Sequence, residues 1–126
     1  MLNFSSILLV AIGGMMGTLT RYFINLLLIK RITSNFPWAT FAVNILGSFL
    51  IGLFLGWSLR QSIIKAEQIR LFLMVGFCGG FTTLSAMSNE GFLLLRQEQY
   101  FIFFIYFTAT ILFGVAATAI GYYITK

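Results

Sequence analysis

A cluster of glycine and hydroxyl residues interrupts an apolar stretch in the second half of the chain and is its strongest candidate for chemistry. The cluster reads Gly76-Phe77-Cys78-Gly79-Gly80-Phe81-Thr82-Thr83-Leu84-Ser85-Ala86-Met87-Ser88-Asn89-Glu90. Glycine and hydroxyl residues favour caps and turns over helix interiors, so the cluster predicts a broken helix in which the glycines and threonines are unwound. Carbonyls freed at such a break can hold a cation, whereas the N-terminus of a half-helix favours an anion. A phosphate-binding loop is excluded because no Gly-Lys-Ser or Gly-Lys-Thr follows the glycines.

Two further polar stripes have helical spacing within apolar runs. They consist of Thr40, Asn44 and Ser48 in the first, and of Tyr106, Thr110, Gly114 and Thr118 in the second. The Asn44 side chain carries two N–H donors, so it can either line an ion path or bond a neighbouring helix. Threonine hydroxyls often bond carbonyls of their own helix, so the second stripe indicates a path only if it aligns with the Asn44 face.

Two charged residues, Arg21 and Glu90, stand inside apolar runs. Arg21 can extend to the membrane interface through its long side chain, or it can set a positive potential at the mouth of an anion path. Glu90 is explained equally well by capping, by an ion pair and by transport.

The composition indicates an integral membrane protein and excludes most enzyme chemistry. Hydrophobic residues make up 60% of the 126 residues and charged residues only 9%, against roughly 25% charged residues in soluble domains. Histidine is absent and Cys78 is the only cysteine, so histidine-based catalysis and an intrachain disulfide are excluded, and we expect no enzyme. The net charge of +5 comes from basic residues at the ends of apolar runs, which favours membrane flanks over nucleic-acid binding.

Four apolar runs each reach the roughly 20 residues that cross a bilayer. They are about 4–29, 38–59, 71–95 and 100–124. Lys30 and Arg31 end the first run, and Pro37 suits the first turn of the second. We therefore expect an all-α membrane protein with one domain over residues 1–126, four transmembrane helices and a third helix broken near the midplane.

The flanking charges give almost no orientation signal. One end of the bundle collects Arg60, Lys65, Arg70 and Lys126, and the other collects Lys30, Arg31 and Arg96. Because the positive-inside rule needs a bias, this balance is consistent either with a masked topology signal or with insertion in both orientations.

Three glycine pairs with small-xxx-small spacing suit packing within one subunit, yet several in so short a chain favour oligomerisation. The pairs are Gly13 with Gly17, Gly52 with Gly56, and Gly76 with Gly80.

Three motifs together resemble the Fluc (CrcB) fluoride channels over essentially the whole chain. They read Gly13-Gly14-x-x-Gly17-x-x-x-Arg21-Tyr22, then Thr40-x-x-x-Asn44-x-x-Gly47-Ser48-Phe49-x-x-Gly52, and finally Gly76-Phe77-x-Gly79-Gly80-x-Thr82-Thr83-x-Ser85-x-x-Ser88-x-Glu90. The resemblance implies a passive channel of the plasma membrane that exports fluoride through two pathways, located at the interface of an antiparallel, dual-topology dimer.

The same resemblance implies roles for individual residues. Asn44 would donate to fluoride, Arg21 would draw anions into a vestibule, and Glu90 would lie at that vestibule. The residues along or near the polar track would be Ser85, Tyr106, Thr110 and Thr118. The backbone carbonyls of Gly79 and Thr82, from both subunits, would hold a structural sodium ion.

One departure from the family pattern concerns the pore. The signature usually reads Thr-Thr-Phe-Ser-Thr-Phe-Ser, whereas this chain has Leu84 and Met87 in place of the two phenylalanines and Ala86 in place of the threonine. Three explanations stay open: a pore that still conducts, a weakly conducting or non-conducting subunit whose paralogous partner carries the phenylalanines, or one or two inactive pathways. A small multidrug exporter is disfavoured because the first span has no acidic residue.

Overall fold

Four helical segments are long and apolar enough to cross a membrane, as the sequence predicts. The computed structural model describes residues 3–29 and 34–126, so Lys30, Arg31 and Thr33 lie outside the described residues. The four segments are α1 (Phe4–Ile29), α2 (Trp38–Ser58), a third span over Ile63–Arg96, and α6 (Tyr100–Thr125). Every regular element of the described part is helical, and the chain is a multi-pass membrane protein.

The third span is made of several pieces. It begins with α3 (Ile63–Ile69), widens into a π-helix over Arg70–Cys78, and ends its first half with the single turn α4 (Gly79–Phe81). After a break it continues as α5 (Leu84–Arg96). The predicted break is therefore confirmed, but the span begins two turns before the predicted residue 71.

The break lies at two threonines rather than at the glycines before them. Thr82 (φ −86°, ψ 158°) and Thr83 (φ −153°, ψ 122°) are extended, whereas Gly79 and Gly80 remain helical. The expectation that the glycines unwind with the threonines is wrong. The glycines serve close packing instead, because a Cβ at Gly80 would meet the Gly14 carbonyl oxygen of α1.

Glycines bring the helices into contact in two pairs. The first half of the third span packs on α1, where a Cβ at Gly13 or Gly17 would overlap the backbone of Phe72 or Phe77. α2 packs on α6, where a Cβ at Gly52 would overlap the Thr118 carbonyl. All three glycine pairs are thus used inside one subunit, so they give no support to oligomerisation.

The hairpin between α5 and α6 brings two predicted site residues together. Glu98 takes a left-handed conformation (φ 57°), and the Gln99 N–H donates to the Leu94 carbonyl at 2.8 Å, which closes the C-terminus of α5. The chain then reverses, so that Tyr106 of α6 packs in a buried cluster with Met87 and Leu94 of α5.

Candidate functional site

The backbone of the break is bound by one side chain from α2. The Thr83 N–H donates to Asn44 Oδ1 at 2.9 Å, and Asn44 Nδ2 donates back to the Thr83 carbonyl at 3.2 Å. Asn44 is buried, and an amide group has two N–H donors, so one donor remains after this pair is made. The Asn44–Thr83 pair therefore satisfies two backbone groups that no water can reach in hydrocarbon.

The threonine side chains satisfy other groups at the break. The Thr82 N–H and hydroxyl both donate to the Cys78 carbonyl, at 2.9 and 2.8 Å. Thr83 is the N-cap of α5, since its hydroxyl oxygen accepts the Ala86 N–H at 3.2 Å. The same hydroxyl lies 3.2 Å from that of Ser85. Thr82 and Thr83 thus both provide hydrogen bonds that the break needs, whether or not an ion passes beside them.

Arg21 reaches the break from α1. Its Nε donates to the Gly80 carbonyl at 3.1 Å, at the end of α4. A fixed positive charge therefore lies at the C-terminal end of the first half-helix, where the helix dipole is negative. The sequence pattern gave no signal for this contact, because Arg21 and Gly80 lie on different spans.

The two polar stripes line one groove beside the break. The groove has a volume of about 880 Å³, and its walls come from α2, α6 and both halves of the third span. Its polar lining residues are Asn44, Ser48, Thr82, Thr83, Thr110, Thr118, Tyr122 and Tyr123. Asn44 and Ser48 of α2 therefore face the same groove as Thr110 and Thr118 of α6, which is the alignment that would favour an ion path. Apolar side chains form most of the remaining wall.

The hydroxyls of α6 already donate to carbonyls. The Thr110 hydroxyl donates to the Tyr106 carbonyl of its own helix at 2.7 Å. The Thr118 hydroxyl donates across to the Ser48 carbonyl of α2 at 2.9 Å. To donate to an anion in the groove, each would have to rotate and give up a bond with a net value of about 1 kcal/mol.

The outer members of the stripes surround Glu90 instead of lining the groove. The Thr40 hydroxyl donates to Glu90 Oε1 at 2.6 Å, and the Tyr106 hydroxyl donates to Oε2 at 2.8 Å. Glu90 also borders a separate cavity of about 230 Å³ at the end where α2 begins. Asn25 borders the same cavity, and its buried Oδ1 has no hydrogen-bond partner among the described residues. Sequence reasoning missed Asn25, although an amide inside an apolar span is a visible signal.

The two positions that depart from the family pattern lie in different surroundings. Leu84 is 76% exposed and lines the groove, directly after the break. Met87 is only 7% exposed: it borders the groove, but most of its side chain packs with Leu94 and Tyr106 in the core of the subunit. A change at Leu84 therefore alters the surface of the groove, whereas a change at Met87 alters both internal packing and the groove wall.

Two carbonyls beside the groove are candidates for a cation. The Gly79 carbonyl loses its usual helical partner because the Thr83 N–H donates to Asn44. No hydrogen bond of the described residues ends on the Gly79 or Thr82 carbonyl. Both residues line the groove, and Gly79 is exposed. Carbonyl oxygens are the ligands that hard cations prefer.

Comparison with known proteins gives consistent matches over nearly the full chain. Residues 8–122 match the family model described as CrcB-like protein, Camphor Resistance (CrcB). A protein of Phocaeicola vulgatus is 41% identical over 121 residues, covering 96% of this chain and 98% of its own. A protein of Bacteroides fragilis is 45% identical over 121 residues (94% of both chains), and one of Chlorobium luteolum is 44% identical over 116 residues (92% and 88%). Each of the three is named a fluoride-specific ion channel FluC.

Replacing Asn44 tests the account of the break. Asn44→Ala leaves the Thr83 N–H and carbonyl unpaired, so we expect the free energy of unfolding to fall by about 2–4 kcal/mol. Ser48→Ala is the matched control on the same helix face: it keeps the backbone carbonyl that accepts Thr118, and it should change stability by about 1 kcal/mol or less. Unfolding of the purified protein in mixed micelles measures both values. Equal stability of the two variants would contradict the role assigned to the Asn44–Thr83 pair.

Proposed function

The chain belongs to the CrcB-like protein family, and on that premise we propose that it is a fluoride-specific ion channel that lets fluoride leave the cell through the plasma membrane. The observation that carries the proposal is the groove in which residues of α2 and α6 align beside an unwound segment of the third span. The relatives that it matches are named as ion channels and not as enzymes. Fluoride export is passive in this proposal, because a channel needs no energy source.

The groove offers the kind of groups that fluoride requires. Fluoride is small and strongly hydrated, so a path must replace the donors of water with fixed donors. The remaining Nδ2 donor of Asn44 is held in place by the Asn44–Thr83 pair. The N-terminus of α5, which is 13 residues long, adds a partial positive charge at the same depth. Arg21 adds a full positive charge nearby and disfavours cations in the path.

The hydroxyls along the groove would serve as secondary donors. Thr110 and Thr118 bond carbonyls without the ion, and each can turn its hydroxyl toward fluoride for the modest free energy of one neutral hydrogen bond. Ser85 lies at the start of the same half-helix and is exposed. Glu90 would act at the mouth of the path, where hydroxyl bonds from Thr40 and from the buried Tyr106 hold its carboxylate in place.

We further propose that a second copy of the chain closes the groove in an antiparallel dimer. A groove that exposes amide, hydroxyl and carbonyl groups to lipid is costly, because hydrocarbon cannot satisfy them. A second copy presents the same groups and covers them. The balance of four basic residues against three permits insertion in both orientations. A homodimer needs no other gene product, and none of the contacts favours a paralogous partner over a second copy.

We also propose that a sodium ion binds the carbonyls at the break of such a dimer. The Gly79 and Thr82 carbonyls of each copy would hold it, which gives four oxygen ligands from two copies. When bound, the ion supplies a positive charge that neutralises carbonyl dipoles otherwise unpaired inside the bilayer. The carbonyls are available because Asn44 takes the Thr83 N–H.

Fluoride efflux from liposomes tests the proposed function. The purified chain alone is reconstituted into vesicles loaded with potassium fluoride. It should release fluoride once valinomycin lets potassium leave, because the membrane potential that opposes fluoride efflux is then removed. An ion-selective electrode measures the release. Vesicles loaded with potassium chloride provide the selectivity control and should release little chloride. Efflux no faster than from protein-free vesicles would overturn the channel assignment for the chain alone.

Introducing a ring at Leu84 tests the departure from the family pattern. Leu84→Phe places an aromatic edge, which is electropositive, on the groove surface, so we expect fluoride efflux to rise several-fold, or about 1 kcal/mol in the barrier. Leu93→Phe, on the same helix but outside the groove and 43% exposed, is the matched control and should leave efflux unchanged. Met87→Phe enlarges a buried side chain and should lower stability by about 1–3 kcal/mol.

Adding Met87→Phe to Leu84→Phe tests whether both positions contact the ion. The double variant should conduct at least as well as Leu84→Phe, because Met87 also borders the groove. Unchanged efflux in both the single Leu84 variant and the double variant, from a measurable baseline, would contradict a fluoride contact at these positions.

A further inference from the structure

Four basic residues, against three at the opposite end, lie where α2 finishes, α3 begins and α6 finishes. We call this the basic end: it comprises Arg60, Lys65, Arg70 and Lys126, with Glu67 as the acidic side chain among them. Arg60 Nη1 donates to the Thr125 carbonyl at 3.4 Å, and Lys126 Nζ lies 4.8 Å from the centre of the Tyr123 ring. The Arg60 bond ties the α2–α3 connection to the end of α6, so Arg60 and Lys126 lie in one patch.

The length of the third span sets the depth of this patch. The span covers 34 residues, whereas about 20 helical residues cross the hydrocarbon core. Its predicted apolar core begins only at residue 71. The seven residues of α3 (Ile63–Ile69) therefore extend into the headgroup layer, together with Arg60 and Arg70.

Exposed apolar side chains accompany the charges. Ile63 is 88% exposed, Ile64 is 73% exposed and Leu59 is 55% exposed, all within a short connection. Large aliphatic side chains beside Lys and Arg are the composition of a segment that lies in the membrane interface. An aqueous loop would gain nothing by exposing two adjacent isoleucines.

A cavity of about 550 Å³ lies between the end of α2 and α3, within the patch. Arg70 borders it, as do Gln61 and Ser58, and Ile63 forms part of its apolar side. Glu67 also borders it and opposes an anion there. The basic residues outnumber this carboxylate, so the potential of the patch is positive.

We propose that the basic end binds the headgroup of an anionic phospholipid. Arg60, Lys65 and Arg70 contact the phosphate region, and Ile63 and Ile64 enter the upper acyl chains. This binding does not depend on which ion the groove conducts, so it can fail or succeed independently of the proposed function. In the cell, it would couple the position of α3, and hence of the third span, to the lipid composition.

The two tryptophans of the chain provide a local test. Trp57 lies in the last turn of α2, at the basic end, and is 45% exposed, whereas Trp38 begins α2 at the opposite end. In the Trp38→Phe chain, Trp57 is the only tryptophan. This variant is reconstituted into two sets of vesicles with equal bromine content. The bromine is carried by dibrominated phosphatidylglycerol in one set and by dibrominated phosphatidylcholine in the other. We expect quenching of Trp57 by the anionic lipid to exceed quenching by the zwitterionic lipid about twofold.

Matched variants assign the effect to the patch. The triple variant Arg60→Gln, Lys65→Gln, Arg70→Gln should bring the quenching ratio of Trp57 close to one, and Lys65→Gln alone should lower it partly. Arg96→Gln, at the opposite end, should leave the ratio unchanged. In the Trp57→Phe chain, the ratio for Trp38 should not respond to the triple variant. Equal quenching of Trp57 by the two lipids in the otherwise unmodified chain, or an unchanged ratio in the triple variant, would overturn the proposal.

Discussion

An unwound backbone inside a bilayer must find its hydrogen bonds within the protein, and this constraint organises the molecule. At Thr82 and Thr83 the third span is extended, so several N–H and carbonyl groups lose their helical partners. Asn44 satisfies both backbone groups of Thr83, the Thr83 hydroxyl caps α5, and Arg21 binds the Gly80 carbonyl. The residues that allow the break to exist are thus the same residues that place donors and positive charge beside it.

The remaining helices hold this arrangement in register. Glycines let α1 approach the first half of the third span at backbone distance, which brings Arg21 within reach of Gly80. Glycines between α2 and α6 do the same for the two polar stripes, so that Asn44 and Thr110 face one groove. Close packing inside the subunit therefore leaves the groove as a surface whose polar groups still need a cover.

The sequence was sufficient for the features set by composition and spacing. Hydropathy predicted the spans because about 20 apolar residues are needed for any crossing, and the first span was predicted at its observed bounds. The start of the third span was missed because Lys65 and Glu67 interrupt the apolar pattern of α3.

Contacts between distant spans, such as Arg21 with Gly80, have no local signature. The sequence also carried no sign that Leu84 is exposed and Met87 is buried, because this contrast follows from their orientation on α5. The glycines of the cluster were expected to unwind, yet they stay helical because α1 requires their small size.

Disulfide formation at the break tests the central claim most directly, namely that a second copy covers the groove there. Gly79 is exposed and helical, and no neighbouring heavy atom of the described residues comes closer than 3.9 Å to an added Cβ, so Gly79→Cys in a Cys78→Ser chain is tolerated by the fold. Leu19→Cys in the same background is the control, since Leu19 is 54% exposed on α1 but lies outside the groove. The account predicts that mild oxidation in native membranes links the Gly79→Cys chains into dimers and leaves the Leu19→Cys chains monomeric. Gly79→Cys chains that remain monomeric, or that link no better than the control, would contradict it.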